Sequence, residues 1–262
     1  MKKLILLPLA VCFLIFGISQ AQKLEGGIGY NLFLPLQGMK DGFKSANGLG
    51  IDLLFHPKKT SFIGFGLDLQ GSNYASTLQT EEYFFRDGTS TITDVSFTSY
   101  MVSGGLMVVL KLPHKKVVNP YIDVKGGGMS MFSHIYIADP NDNSGCKPLD
   151  SKIPVSDFNW YAGAGGGIQI DVGKQAKKGK HFIDVSVNYL SGGWFTYANM
   201  DRMQTHNIND PVTVDPKPEP LNVKFINIST LEIHEHRVAN LYNNKLTVLQ
   251  VQVKYSFNIG KK

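Results

Sequence analysis

The sequence predicts an all-β protein, an up-and-down antiparallel transmembrane β-barrel of eight strands with short periplasmic turns and long extracellular loops. Three observations predict it. The chain opens on an export leader, apolar and polar residues then alternate with period two, and the connections between alternating segments are short and long by turns.

The leader comes first. Met1-Lys2-Lys3 gives a positive start, residues 4–18 form an apolar run, and Ser19-Gln20-Ala21 supplies the small-x-small pattern that signal peptidase reads. Residues 1–21 are therefore read as a cleaved signal peptide and 22–262 as a single outer-membrane β-barrel domain. Cys12 follows Leu9-Ala10-Val11, but Val11 is bulky where a lipoprotein signal needs a small residue, and the apolar run continues past it. Export of an ordinary secreted precursor is the expectation. Once the leader is gone Cys146 is the remaining cysteine, in a polar stretch, so no internal disulfide is expected and packing and hydrogen bonding must hold the fold.

Charge excludes one class of partner. The chain carries 26 Lys and Arg against 21 Asp and Glu, and losing Lys2 and Lys3 with the leader lowers the net charge from +5 to +3. That mild excess, with no basic stripe and no aromatic stacking platform, gives no reason to expect nucleic acid.

The strands follow in order. Residues 24–34 form the first. In the second, Leu49, Ile51, Leu53 and Phe55 share one face and Gly48, Gly50, Asp52 and Leu54 the other. The third sets Ile63, Phe65, Leu67 and Leu69 against Gly64, Gly66, Asp68 and Gln70. The fourth sets Tyr100, Val102, Leu106, Val108 and Leu110 against Ser103, Gly105 and Lys111. Residues 121–137 make the fifth. In the sixth, Ile168, Ile170 and Val172 oppose Gly167, Gln169 and Asp171. In the seventh, Ile183, Val185, Val187 and Tyr189 oppose Asp184, Ser186 and Asn188. The eighth sets Leu249, Val251, Val253, Tyr255 and Phe257 against Gln250, Gln252, Lys254, Ser256 and Asn258. No run of about eighteen apolar residues follows the leader, so strands and not a helix must do any spanning.

The connections sort by length. Residues 57–59, 113–116 and 174–180 are short and lysine-rich, whereas 35–46, 76–90, 138–157 and 198–243 are long and polar. Short turns at one end and long loops at the other are the pattern of a membrane barrel. Within the last connection, Pro211, Pro216, Pro218 and Pro220 enforce an extended, unpaired path. Residues 223–238 look strand-like again. They are read as an extra hairpin above the membrane, because Glu232, His234, Glu235, His236 and Arg237 charge both faces; two more barrel strands, making ten, is the other count.

Which face is inside follows from the less apolar one. It carries glycines with Asp52, Asp68, Asp123, Asp171, Asp184, Lys111, Lys125 and Lys254, too many charges for a dry core. A narrow lumen where carboxylates meet lysines accommodates them, and the apolar face then meets lipid. The clusters Gly126-Gly127-Gly128 and Gly163-Ala164-Gly165-Gly166-Gly167 suit a tightly curved wall; lying within strands, they open no helix and are not phosphate loops. Tyr30, Tyr74, Tyr100, Trp160, Tyr189, Trp194 and Tyr255 are the candidates for interfacial aromatic girdles.

Three segments carry a family resemblance. Asn119-Pro120-Tyr121-Ile122-Asp123 with Gly126-Gly127-Gly128, then Tyr161-Ala162-Gly163-Ala164-Gly165-Gly166-Gly167-Ile168, and the terminal Val253-Lys254-Tyr255-Ser256-Phe257 together resemble the small outer-membrane β-barrel domain family over most of the mature chain. The resemblance implies fold more than activity. The chain departs from it at the end, where residues 258–262 follow Phe257, the aromatic position that such proteins often place last.

The search for chemistry returns little. His234 and His236 lie two apart and, with Glu232, have permissive metal spacing, but a polar loop edge explains them as well, so no metal or other cofactor is expected. His134 and His206 fall in the zone where a lipid-modifying barrel enzyme would hold its triad; serines and aspartates are too common around them to single one out. Catalytic, cofactor-binding and metal residues are therefore all read as none, and the protein as no enzyme. The function expected is structural or interactive, in a barrel surrounded by outer-membrane lipid and lipopolysaccharide, with exterior loops offering a protein or ligand a porin-like rim. A lipid-modifying enzyme or a narrow pore is the rival reading.

Overall fold

A computed structural model describes residues 21–57, 62–84, 90–112, 117–139, 150–172, 181–199, 219–226 and 233–259. Nine strands run β1 Ala21–Pro35, β2 Ala46–Pro57, β3 Ile63–Phe84, β4 Ser90–Lys111, β5 Val118–Ile137, β6 Asp150–Asp171, β7 His181–Asn199, β8 Glu219–Ile226 and β9 Ile233–Ile259. Eight of them close a ring in the order β1-β2-β3-β4-β5-β6-β7-β9, and β9 returns to β1 through pairs that include Ile28 with Tyr255 and Leu32 with Val251. Every neighbour is antiparallel. Closure leaves this part of the sheet no edge and pairs its backbone donors and acceptors within the wall.

β8 stands outside the ring. Among the described residues it pairs only with the upper part of β9, Glu219 opposite Leu241 and Ile226 opposite Ile233, so the barrel has eight strands and not ten. Within 198–243 the described residues are the end of β7 paired with β9 and β8 alongside β9.

The long connections begin as sheet. Beyond Asn73, β3 continues to Phe84 against β4, and β5 and β6 stay paired as far as Ile137 and Asp150. Residues 76–84 and 90–98 thus belong to a protruding hairpin arm and not to an irregular loop. A β-bulge interrupts the register between Asn73 and Ala75, with others between Ser133 and Ile135 and between Ser191 and Trp194, each where an arm leaves the barrel.

The glycine clusters lie side by side. Gly105 faces Gly127 and Gly104 faces Gly128 across β4 and β5, and Gly163, Gly165 and Gly167 carry the patch onto β6. The wall is so tightly coiled there that a Cβ at Gly127 would lie 2.1 Å from the Gly104 carbonyl oxygen. Only glycine fits such an approach.

Candidate functional site

The inner face of the lower barrel, nearest the short turns, is a polar block. Lys254 Nζ lies 3.1 Å from Asp52 Oδ1 and 3.9 Å from Asp184 Oδ2, and Lys125 Nζ lies 3.3 Å from Asp68 Oδ2. Lys111 Nζ lies 2.8 Å from Glu25 Oε2. Amides join these pairs to one another. Lys125 donates to Gln250 Oε1 at 2.9 Å, Gln250 to Gln70 Oε1 at 2.7 Å, and Gln70 to Asp68; Gln169 bridges Glu25 and Asp184, and Tyr121 donates to Asp184 Oδ1 at 2.7 Å. The sheet brings all of this together because inward residues repeat every second position: Asp52 and Asp68 are direct neighbours on β2 and β3, and Asp184 sits opposite Lys254 on β7 and β9.

Two carboxylates side by side repel. Here each has its own lysine, which is why Lys125 and Lys254 tolerate burial. Asp123 lacks such a contact: its Oδ1 has no hydrogen-bond partner among the described residues. It lines a cavity of about 20 Å³ shared with Asp52, Asp68, Asp184, Lys125 and Lys254, room for roughly one water molecule.

Above the polar block the lumen is apolar. The β1–β2 connection turns inward through a short 3-10 segment, Gln37–Asp41, and buries Met39 and Phe43 completely. Phe43 stacks on Tyr74 with ring centroids 4.9 Å apart and meets Tyr197 edge-on at 6.1 Å. Met39 Sδ accepts the Thr247 N–H at 3.3 Å, and the Leu36 N–H donates to the Thr247 carbonyl at 2.9 Å. Phe33, Met101, Met129, Met131, Leu190 and Leu246 pack around this plug. Residues 35–46, expected to form a long polar loop, therefore close the lumen. Met39 and Phe43 are spaced as one helical turn, which is the trace of this plug in the sequence.

The outer face reverses the arrangement strand by strand. On β5, Ile122 and Val124 face outward and are about half exposed while Asp123 and Lys125 are buried inside; higher up, His134 and Tyr136 face outward while Ile135 and Ile137 are buried. β4 repeats it. Val102, Leu106 and Leu110 face outward below Tyr100, whereas above it Thr98, Ser96 and Asp94 face outward and Phe97 and Val95 turn in. Tyr100 and Phe132, 5.4 Å apart, stand where the two faces exchange character. Phe158, Trp160, Trp194, Tyr189, Tyr30 and Tyr255 are also outward and exposed. Tyr74 is a correction to the girdle. It shares parity with Asp68 and Gln70 and is buried inside against Phe43.

Asp52, Asp68, Asp123, Asp184, Lys111, Lys125 and Lys254 thus meet in one lumen, and Asp171 shares their inward parity, directly opposite Phe182 on β7. Gln70, Gln169 and Gln250, on the less apolar face by sequence, join the same block, as do Glu25 and His56, which the sequence did not single out; on β1, Glu25 has the parity of Gly27 and Gly29, which marks the inward face. His134 stands apart on the outer face of the β5 arm, its Nε2 2.9 Å from Ser151 Oγ, and among the described residues no carboxylate reaches it. His234 and His236 lie on β9 opposite Phe225 and Val223. Cys146, His206, Glu232 and leader residues 1–20 lie outside the described residues, while Ala21 begins β1. No group of three metal-binding side chains occurs among the described residues.

No family model and no curated protein matches the chain. Among solved structures it is similar to Ail, the attachment invasion locus protein of Yersinia pestis, at 12% identity and a TM-score of 0.38, over 90% of this chain and 98% of that one. Ail in complex with the heparin analogue sucrose octasulfate gives 13% identity and 0.36 over the same shares. The N-terminal β-barrel domain of Pseudomonas aeruginosa OprF gives 10% identity and 0.34, over 92% of this chain and 100% of that one.

Proposed function

We propose that this chain is an outer-membrane anchor that holds rigid β-arms outside the cell, where they bind a partner. The exchange of inner and outer polarity at Tyr100 and Phe132 carries the reading. Below that level β4 and β5 are apolar outside and the lumen holds the paired charges, as lipid requires. Above it β4 and β5 turn Thr98, Ser96, Asp94, His134 and Tyr136 outward and Phe97, Val95, Ile135 and Ile137 inward, as water requires, with Leu78, Ile92 and Ile153 also exposed on the arms. The stretch of β4 from Tyr100 to Leu110 has the length of the ~9–11 tilted residues that cross a bilayer. The leader delivers the chain to the periplasm, lipopolysaccharide and phospholipid surround the lower barrel, and the lysine-rich turns face the periplasm.

The filled lumen supports an anchor over a pore. Ion-paired side chains occupy the lower level and the Met39–Phe43 plug the upper one. The reading is tested by fractionating cells that express the chain with Cys146→Ser and Thr80→Cys. The protein should sediment with outer membrane, shift its gel mobility on boiling, and react with a membrane-impermeant maleimide on intact cells. Recovery in an aqueous periplasmic extract would overturn it.

A further inference from the structure

The polar block leaves three buried polar atoms unanswered around one cavity. Asp123 Oδ1, Asn188 Oδ1 and Gln252 Nε2 make no hydrogen bond among the described residues, although Asp123, Asn188 and Gln252 are only 6%, 1% and 3% exposed. All three residues line the cavity of about 20 Å³. Asp52 Oδ1, on the same cavity, has Lys254 Nζ at 3.1 Å. The wall brings the three together. Asp123 on β5 is opposite Gly165 on β6, and Gly165 is opposite Asn188 on β7, so the two side chains share one row with none between them. A Cβ at Gly165 would lie 2.3 Å from Asn188 Oδ1, so the Asn188 amide reaches over the glycine from β7, on the side of β5. Gln252 on β9 is opposite Ser186, the inward position next to Asn188 on β7.

We propose that this cavity binds one water molecule as a fixed part of the barrel, donating to Asp123 Oδ1 and Asn188 Oδ1 and accepting from Gln252 Nε2. Buried polar groups without partners are costly, and protein interiors answer them with protein groups or with held water. Two acceptors and one donor around a space of one molecule match the two hydrogens and the lone pairs of water. Ions match it less well. A metal cation suits Asp123 and Asn188 but meets the Gln252 N–H and the ammonium groups of Lys125 and Lys254 on the same cavity. An anion meets Asp123 together with Glu25, Asp52, Asp68 and Asp184. Bound there, the water does for Asp123 what Lys254 and Lys125 do for Asp52 and Asp68. It also ties β5, β7 and β9 to one another across β6, where Gly163, Gly165 and Gly167 offer the lumen no side chain.

The test is a high-resolution crystal structure of the purified protein in detergent, from sodium chloride and again from rubidium bromide, whose ions scatter anomalously. One peak of density should stand about 2.7–3.2 Å from each of Asp123 Oδ1, Asn188 Oδ1 and Gln252 Nε2, with no anomalous signal in rubidium bromide. Asp123→Leu, which removes one acceptor, should lose the peak. In solution, replacing sodium chloride by choline chloride at equal ionic strength should leave the temperature of the gel-mobility transition unchanged. Four results would overturn the proposal: no density at the site of the unaltered protein, contacts of about 2.0–2.6 Å as a metal ion makes, an anomalous peak from rubidium or bromide, or a transition temperature that falls in choline and recovers with sodium. Density that persists in Asp123→Leu would remove Asp123 from the site and overturn it as well. The unaltered protein decides the matter even where the variant fails to fold.

Discussion

Lys125 and Lys254 are among the most buried charges of the chain, and their carboxylate partners are equally withdrawn from water. Removing one member strands the other. Lys125→Met should therefore destabilise the barrel by about 3–5 kcal/mol, read as a lower temperature for the gel-mobility transition, and adding Asp68→Asn should recover most of the loss because the neutral amide still bonds Gln70. A loss no larger in the single variant than in the double would remove the ion pair from the account. Glycines give a second contrast at this scale. Gly127→Ala places a Cβ 2.1 Å from a backbone oxygen and 2.4 Å from the Gly105 Cα, so the wall must shift, with an expected cost of about 1–3 kcal/mol. Gly71→Ala meets nothing within 4 Å and should stay within about 0.5 kcal/mol. Parallel thermal titrations of the two proteins decide it.

Within a single strand the two faces change roles, and this is where sequence reading succeeded and then stopped. In the lower half of β4 the outward residues Val102, Leu106 and Leu110 are conspicuously apolar, so period two is plain and the strand is legible. Above Tyr100 the same period continues in opposite phase: Phe97 and Val95 are inside, Thr98, Ser96 and Asp94 outside. A pattern followed in one phase ends at the switch, and the arm then looks like a polar loop. The plug was hidden for a related reason, since Met39 and Phe43 are isolated apolar residues in a polar stretch, and only the arrangement of Tyr74 and Tyr197 around them gives them a core to enter. The lumen charges were legible because an apolar outer face and carboxylates inside leave one parity for each; the amides that link them follow the same parity without standing out by charge. The switch predicts substitution costs. Leu106→Arg, mid-way down the apolar band, should destabilise the membrane-inserted barrel by about 2–4 kcal/mol, whereas Thr98→Arg above Tyr100 should cost no more than about 0.5 kcal/mol. Denaturant unfolding in lipid vesicles measures both, and equal costs would contradict the boundary.

As a whole, the molecule is a closed barrel that carries arms of the opposite polarity. The barrel, matched to hydrocarbon in the proposed reading, is filled with paired charges; the arms, matched to water, turn aromatic and aliphatic side chains inward. Two filled levels in series should block ions, so the purified protein in planar bilayers should show no steady conductance, and weakening the upper level alone with Phe43→Ala should not open it. Sustained single-channel steps from the unaltered protein would contradict the filled lumen.

The central claim is the polarity exchange, and a depth scan along β4 tests it most directly. Single cysteines placed from position 94 to 110 in a Cys146→Ser background carry a fluorophore in lipid bilayers, with quenchers attached either to lipid chains or dissolved in water. The account predicts lipid-chain quenching at Val102, Leu106, Val108 and Leu110, aqueous quenching at Asp94, Ser96 and Thr98, and little of either at Ser103, Met107 and Val109, with the change falling at Tyr100. Aqueous quenching at all the outward positions would contradict it.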